Sequence, residues 1–132
     1  MTRDEILALE AGRELDALVA EIMGWTRYQN KHGLIVMSRP GAIPSHAHFD
    51  QHPNFSTDIA AALEVVEKMT AEGHGYFELC KDFGGWWNAT FFIVLSNDDE
   101  RRALGYGNWK YESDGNTAPL AICRAALLVE AE

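Results

Sequence analysis

The sequence is short of cysteine, of positive charge and of long apolar runs, and each shortage removes a class of protein. Its two cysteines, Cys80 and Cys123, fall inside stretches patterned as regular elements and imply no disulfide framework. Reduced thiols point to a cytoplasmic protein. No apolar run approaches the roughly 20 residues that cross a bilayer. The opening Met1-Thr2-Arg3-Asp4-Glu5 is charged and acidic, unlike a secretory signal. Lys and Arg number 11 against 20 Asp and Glu, a net charge of −9. Residues 1–55 hold five basic against seven acidic side chains (−2), and residues 56–132 hold six against thirteen (−7). Phosphate binding needs basic side chains to displace counterions, so direct contact with nucleic acid or an anionic membrane is disfavoured. A P-loop, a dinucleotide fingerprint, a nucleophile elbow and a paired-cysteine zinc motif are all missing.

What remains is one ordinary domain over residues 1–132. A chain of 132 residues, 47% hydrophobic and 23% charged, can bury a core without staples. Ser56 to Met69 reads as its organising helix. Ser56 is the expected N-cap, Asp58 sits in the first turn, and Ile59, Ala62, Leu63, Val66 and Met69 form the expected inward stripe. Gly73 supplies the stop.

Ahead of that helix, Thr2 and Glu5 stand in capping-box spacing and start a short helix. Gly12 interrupts it, and Leu15, Leu18, Val19 and Ile22 resume the helical period up to Met23-Gly24. Two short helices and one kinked helix fit equally well. Leu34 to Met37 reads as a short strand after a turn at Asn30 to Gly33. Three of the four prolines (Pro40, Pro44, Pro53) fall in an irregular loop at about 38–55 that also carries three histidines. Beyond the organising helix, Tyr76 to Lys81 and Trp86 to Leu95 read as strands joined at Phe83-Gly84-Gly85, with Arg101 to Tyr106 as the expected third. Residues 105–116 stay open. Thr117 or Ala118 caps a last helix to Glu130 that is apolar nearly all round.

Three phrases carry a resemblance: Leu9 to Glu21 ending in Met23-Gly24-Trp25, the Ser56 to Lys68 helix, and Thr117-Ala118-Pro119-Leu120-Ala121-Ile122-Cys123-Arg124-Ala125-Ala126-Leu127-Leu128. Together the sequence resembles the phage ABA sandwich domain family of small phage and prophage proteins. The resemblance implies a fold and a phage origin and hands over no catalytic residue. The Pro/His segment and the Gly85-Trp86-Trp87 strand depart from the compact family pattern.

Three groups of residues are candidates for chemistry. In an extended segment His46, His48, Asp50 and His52 would project from one face, and imidazole and carboxylate are ligands for zinc-like metals. The bland alternative is a polar surface loop. Trp86 and Trp87 are adjacent in a strand, so one must face outward, where it can anchor a partner or stack on a ring. Arg124 is the one charge within its apolar helix; a structural pairing with a carboxylate is favoured over an anionic ligand.

The expected fold is α+β: an antiparallel sheet of 3–4 strands packed by two long helices (about 56–72 and 117–130), with one or two short N-terminal helices. The leading functional expectation is a non-enzymatic phage or prophage accessory protein, an acidic inhibitor of a host or phage macromolecule. A binder of a small nucleotide-like ligand is the alternative, and a metal-dependent hydrolase using the histidine loop is the second alternative. No cofactor is expected beyond a possible divalent metal at that loop. The expected partner is a host or phage protein rather than nucleic acid or membrane, with self-association left open.

Overall fold

The computed structural model describes residues 1–29, 32–33, 35–40, 53–71, 75–93 and 109–131. Within them the fold is α+β, with four helices and two small antiparallel sheets. Helix α1 (Arg3–Leu7) opens with the capping box: the Glu5 amide donates to Thr2 Oγ1 at 3.2 Å, and the Thr2 amide donates to Glu5 Oε2 at 2.8 Å. Gly12 separates it from α2 (Arg13–Ile22), so the N-terminal region is two helices. Its φ of +150° is open only to glycine. Helix α2 ends in a Schellman turn, in which the Trp25 amide reaches the Ala20 carbonyl at 2.9 Å around Gly24 at φ +86°.

Among the described residues, strands β1 (Thr26–Gln29) and β2 (Ile35–Ser38) pair only with each other. A second sheet has the order β3 (Gly75–Lys81), β4 (Trp87–Ile93), β5 (Trp109–Gly115). The larger sheet is thus an antiparallel sheet of three strands, as expected, and β1 and β2 form a separate pair. The expected strand at Arg101 to Tyr106 lies outside the described residues; the third described strand of the larger sheet is Trp109–Gly115, in the stretch left open by the sequence. Its signal in the sequence is weak because Lys110, Glu112 and Asp114 alternate outward while Ser113 and Gly115 face the core.

Helix α3 (Ile59–Ala71) begins two residues later than a Ser56 cap requires. Asp58 takes the capping position, its Oδ1 accepting the Ala60 amide at 2.9 Å. Ser56 is instead buried: its hydroxyl accepts from the Gly12 amide at 3.0 Å and its own amide donates to Asp16 Oδ1 at 2.7 Å. These two bonds tie the start of α2 to the approach to α3. The inward face of α3 is Ala62, Val65 and Met69, flanked by Ala61 and Val66, while Ile59 and Leu63 are each 45% exposed. The apolar stripe is thus rotated from the expected one.

The organising element is the last helix, α4 (Ala118–Ala131), rather than α3. Ten of its residues are buried, and α1, α2, α3, β4 and β5 all pack on it. Thr117 Oγ1 caps it by accepting the Leu120 amide at 3.4 Å, with Pro119 in the first turn. Its small residues, Ala121, Ala125 and Ala126, let neighbours approach closely while keeping high helix propensity. Gly115 shows how close: a Cβ there would sit 2.9 Å from the Ala121 amide nitrogen and 3.1 Å from the Thr117 carbonyl oxygen. Helix α3 packs mainly on α4 and touches β3.

Candidate functional site

The larger sheet has two chemically different faces. Phe77, Leu79, Trp87, Ala89, Phe91 and Tyr111 turn to the core. The register then sets three rows on the other face: Tyr76–Phe92–Lys110, Glu78–Thr90–Glu112 and Cys80–Asn88–Asp114. Tyr76 and Phe92 stack at 4.6 Å between centroids. Thr90, in the central position, is buried; its hydroxyl bonds Asn88 Oδ1 at 3.0 Å, and Asn88 Nδ2 donates to Asp114 Oδ1 at 2.7 Å. Glu78 and Asp114 lie exposed on the outer strands and Glu112 is half-buried. Carboxylates therefore flank a closed polar middle, with Lys110 answering Glu112 at 3.2 Å.

The β3–β4 connection extends this face. Asp82 organises it, with Oδ1 accepting both the Gly84 and the Trp86 amides at 2.9 Å. The Asp82 amide donates to the Trp86 carbonyl at 2.9 Å, the Gly85 amide returns to the Asp82 carbonyl at 3.2 Å, and Gly85 takes φ +85°. Trp86, just before β4, is 52% exposed. Trp87 is half-buried against the core, and the Lys81 ammonium stands over its ring at 5.4 Å. Phe83, at the tip, is fully exposed. The sequence analysis placed Phe83 in a turn and did not single out its exposure; the signal available was a large aromatic lodged between Asp82 and two glycines, which bring no apolar side chain of their own to cover it.

Arg124 does not meet the tryptophans through a cation–ring contact. Its Nε donates to the Leu9 carbonyl at 2.7 Å and its Nη1 to the Asp114 carbonyl at 2.9 Å, so it bridges the α1–α2 connection and the end of β5. Desolvation lowers its pKa and the charge of Glu10 opposes that shift; a guanidinium stays protonated. The expected carboxylate partner is replaced by two main-chain carbonyls.

Neither cysteine is activated. Burial, then the charge of Asp16, pushes the Cys123 thiol far up. Desolvation, then the hydrogen bond to Glu78 and that carboxylate's charge, raises Cys80. Beside α3 lies a cleft of about 570 Å³ bounded by Trp25, Arg39, Pro40, Phe55, Asp58 and Glu64. Arg39 covers the Trp25 ring at 5.5 Å, and Phe55 meets that ring edge-on at 5.9 Å. His46, His48, Asp50 and His52 lie outside the described residues. Among the described residues no group of three His, Cys, Asp or Glu side chains comes together to hold a metal, and no helix is long and apolar enough to cross a membrane.

The sequence matches the family model of the Phage ABA sandwich domain over residues 17–127, most of the chain, with all of α3, both sheets and the greater part of α4. The chain belongs to that family. Membership links this ABA sandwich domain to phage proteins and brings no chemistry with it. A search of curated proteins finds none that matches. The arrangement of the domain's own side chains must therefore carry any functional reading.

Proposed function

We propose that this ABA sandwich domain is a non-enzymatic phage interaction module, an acidic inhibitor that holds a basic surface of a host or phage macromolecule. The observation behind the reading is the contrast between five cations that have partners within the chain and two carboxylates that stand outward on one sheet. Arg27 is paired with Glu21 at 2.8 Å, Arg39 lies on Trp25, Lys81 on Trp87, Lys110 on Glu112, and Arg124 on two carbonyls. Glu78 and Asp114 meanwhile stand exposed on the outer strands of one sheet, in a chain of net charge −9. With these five cations engaged within the chain and Glu78 and Asp114 left outward, the sheet offers a surface complementary to a basic one.

The test is titration with a fluorescent oligolysine across a salt series. Binding should weaken steeply with salt and fall further in the Glu78→Gln, Glu112→Gln, Asp114→Asn variant. A control variant of equal charge change, Glu64→Gln, Glu67→Gln, Glu130→Gln, should lose less. Equal losses in both variants, or salt-independent binding, would contradict the reading.

The nucleotide-like alternative draws on the cleft beside Trp25, which joins an aromatic wall to an arginine. Asp58 and Glu64 on its rim repel phosphate, and Arg39 already occupies the Trp25 ring, so the cleft favours it less. Mass spectrometry of the purified protein for bound nucleotide separates the two. The hydrolase alternative rests on His46, His48, Asp50 and His52 and is separated by the response of the melting temperature to zinc.

A further inference from the structure

We propose that the end of the β3–β4 hairpin is a preorganised aromatic anchor for a protein whose apolar pocket is rimmed by lysine or arginine. The charge of that partner rests on the acidic-module reading; the anchor itself rests on Phe83 and Trp86. Phe83 is fully exposed and Trp86 half-exposed, so two large apolar side chains project at one end of the sheet. Burying such a side chain on a partner takes a large apolar surface out of water, which is why aromatics dominate binding hot spots. The backbone that presents them is fixed by the bonds that Asp82 makes to Gly84, Gly85 and Trp86, so little loop entropy remains to be lost on docking. Asp82 is exposed within the tip, and Asp114 stands in the neighbouring row, next to Asn88, two residues along β4 from Trp86. Anionic groups around an apolar projection select a pocket with a cationic rim and disfavour anionic bilayers.

The probe is a cyclodextrin, an apolar cavity available with either a neutral or an ammonium-bearing rim. Tip-residue NMR shifts and tryptophan fluorescence in the wild-type domain should report roughly tenfold tighter binding to the ammonium form, collapsing to the neutral value at about 0.5 M salt. Phe83→Ser should lose binding without loss of stability, because Phe83 touches nothing that folding needs. Asp82→Ala should weaken binding several-fold through loss of the fixed turn. Equal affinity for both rims, or unchanged binding in Phe83→Ser, overturns the proposal. So does tryptophan blue-shift with phosphatidylcholine vesicles, which makes the tip a membrane wedge, or Phe83-dependent dimerisation in sedimentation, which makes the partner a second copy. Oligolysine binding, measured alongside, should be unchanged in Phe83→Ser. Its absence in the wild type would remove the acidic-module reading while leaving affinity for the neutral rim intact.

Discussion

Arg124→Met is the perturbation that separates a scaffold arginine from a binding arginine. The side chain links three places distant in sequence: its own helix, the Leu9 carbonyl and the Asp114 carbonyl. Methionine keeps an apolar stem of similar length and removes both bonds, so it isolates them from the packing that alanine would also delete. A hydrogen bond from a charged donor contributes about 1.5–3 kcal/mol. The Asp114 bond lies at an exposed position and takes the low end or less, while the Leu9 bond is shielded and its carbonyl loses a partner at a part-buried site. Together they set an expected loss of about 2–3 kcal/mol. For a domain of this size that is roughly 10 °C in Tm. Arg124→Lys should recover part of the loss, since an ammonium cannot span both carbonyls as the planar fork does. Urea unfolding should show a lower midpoint with an unchanged slope, the sign of lost native interactions without a change in compactness. A loss under about 0.5 kcal/mol, together with weakened ligand binding, would refute the scaffold assignment.

The remaining expectations concern the core, alkaline stability and metal. Val65→Ala should cost about 1–3 kcal/mol through a cavity under α3, whereas Leu63→Ala on the exposed side should stay within about 0.5 kcal/mol, as read by urea midpoints. Cys123 should make the domain sensitive to alkali. Burial raises its folded pKa above the ordinary thiol value of about 9, so its contribution is full below pH 9 and declines above it, as the unfolded chain ionises and the native one does not. The slope is at most about 1.4 kcal/mol per pH unit, and Tm measured from pH 8 to 11 should fall less steeply in Cys123→Ala. Under the interaction-module reading, zinc should not raise the Tm of untagged protein; a rise abolished by His48→Ala would instead support the hydrolase alternative.

Much of the fold was legible where a local rule has one solution. The Thr2–Glu5 box, the break at Gly12, the Thr117–Pro119 start of α4 and the β3–β4 hairpin are set by caps, glycines and turn chemistry within a few residues. The face of α3 was not legible, because Ile59 to Val66 is apolar at every position but Glu64 and offers two overlapping stripes. The packing of α4, with β3 beside it, chooses between them. Ser56 misled for a related reason: in Ser56-Thr57-Asp58 each residue can cap, and tertiary bonds to Gly12 and Asp16 claim the first. The strand at Trp109–Gly115 hid behind charged outward positions. At the candidate site, adjacency exposed Trp86 as a residue to examine, since consecutive strand positions face opposite ways. The carbonyl partners of Arg124 and the Asp82 scaffold under Phe83 are backbone geometry, which side-chain patterning does not report.

The most direct test of the acidic-module account is residue-resolved NMR mapping of oligolysine onto the isotopically labelled domain at low salt. The account predicts the largest shifts at Glu78, Glu112 and Asp114 and their strand neighbours, with the Trp25 cleft and the Ile59–Leu63 side of α3 unmoved. Shifts spread evenly over Glu5, Glu14, Glu64, Glu67 and Glu130, or centred on the Trp25 cleft, would contradict it.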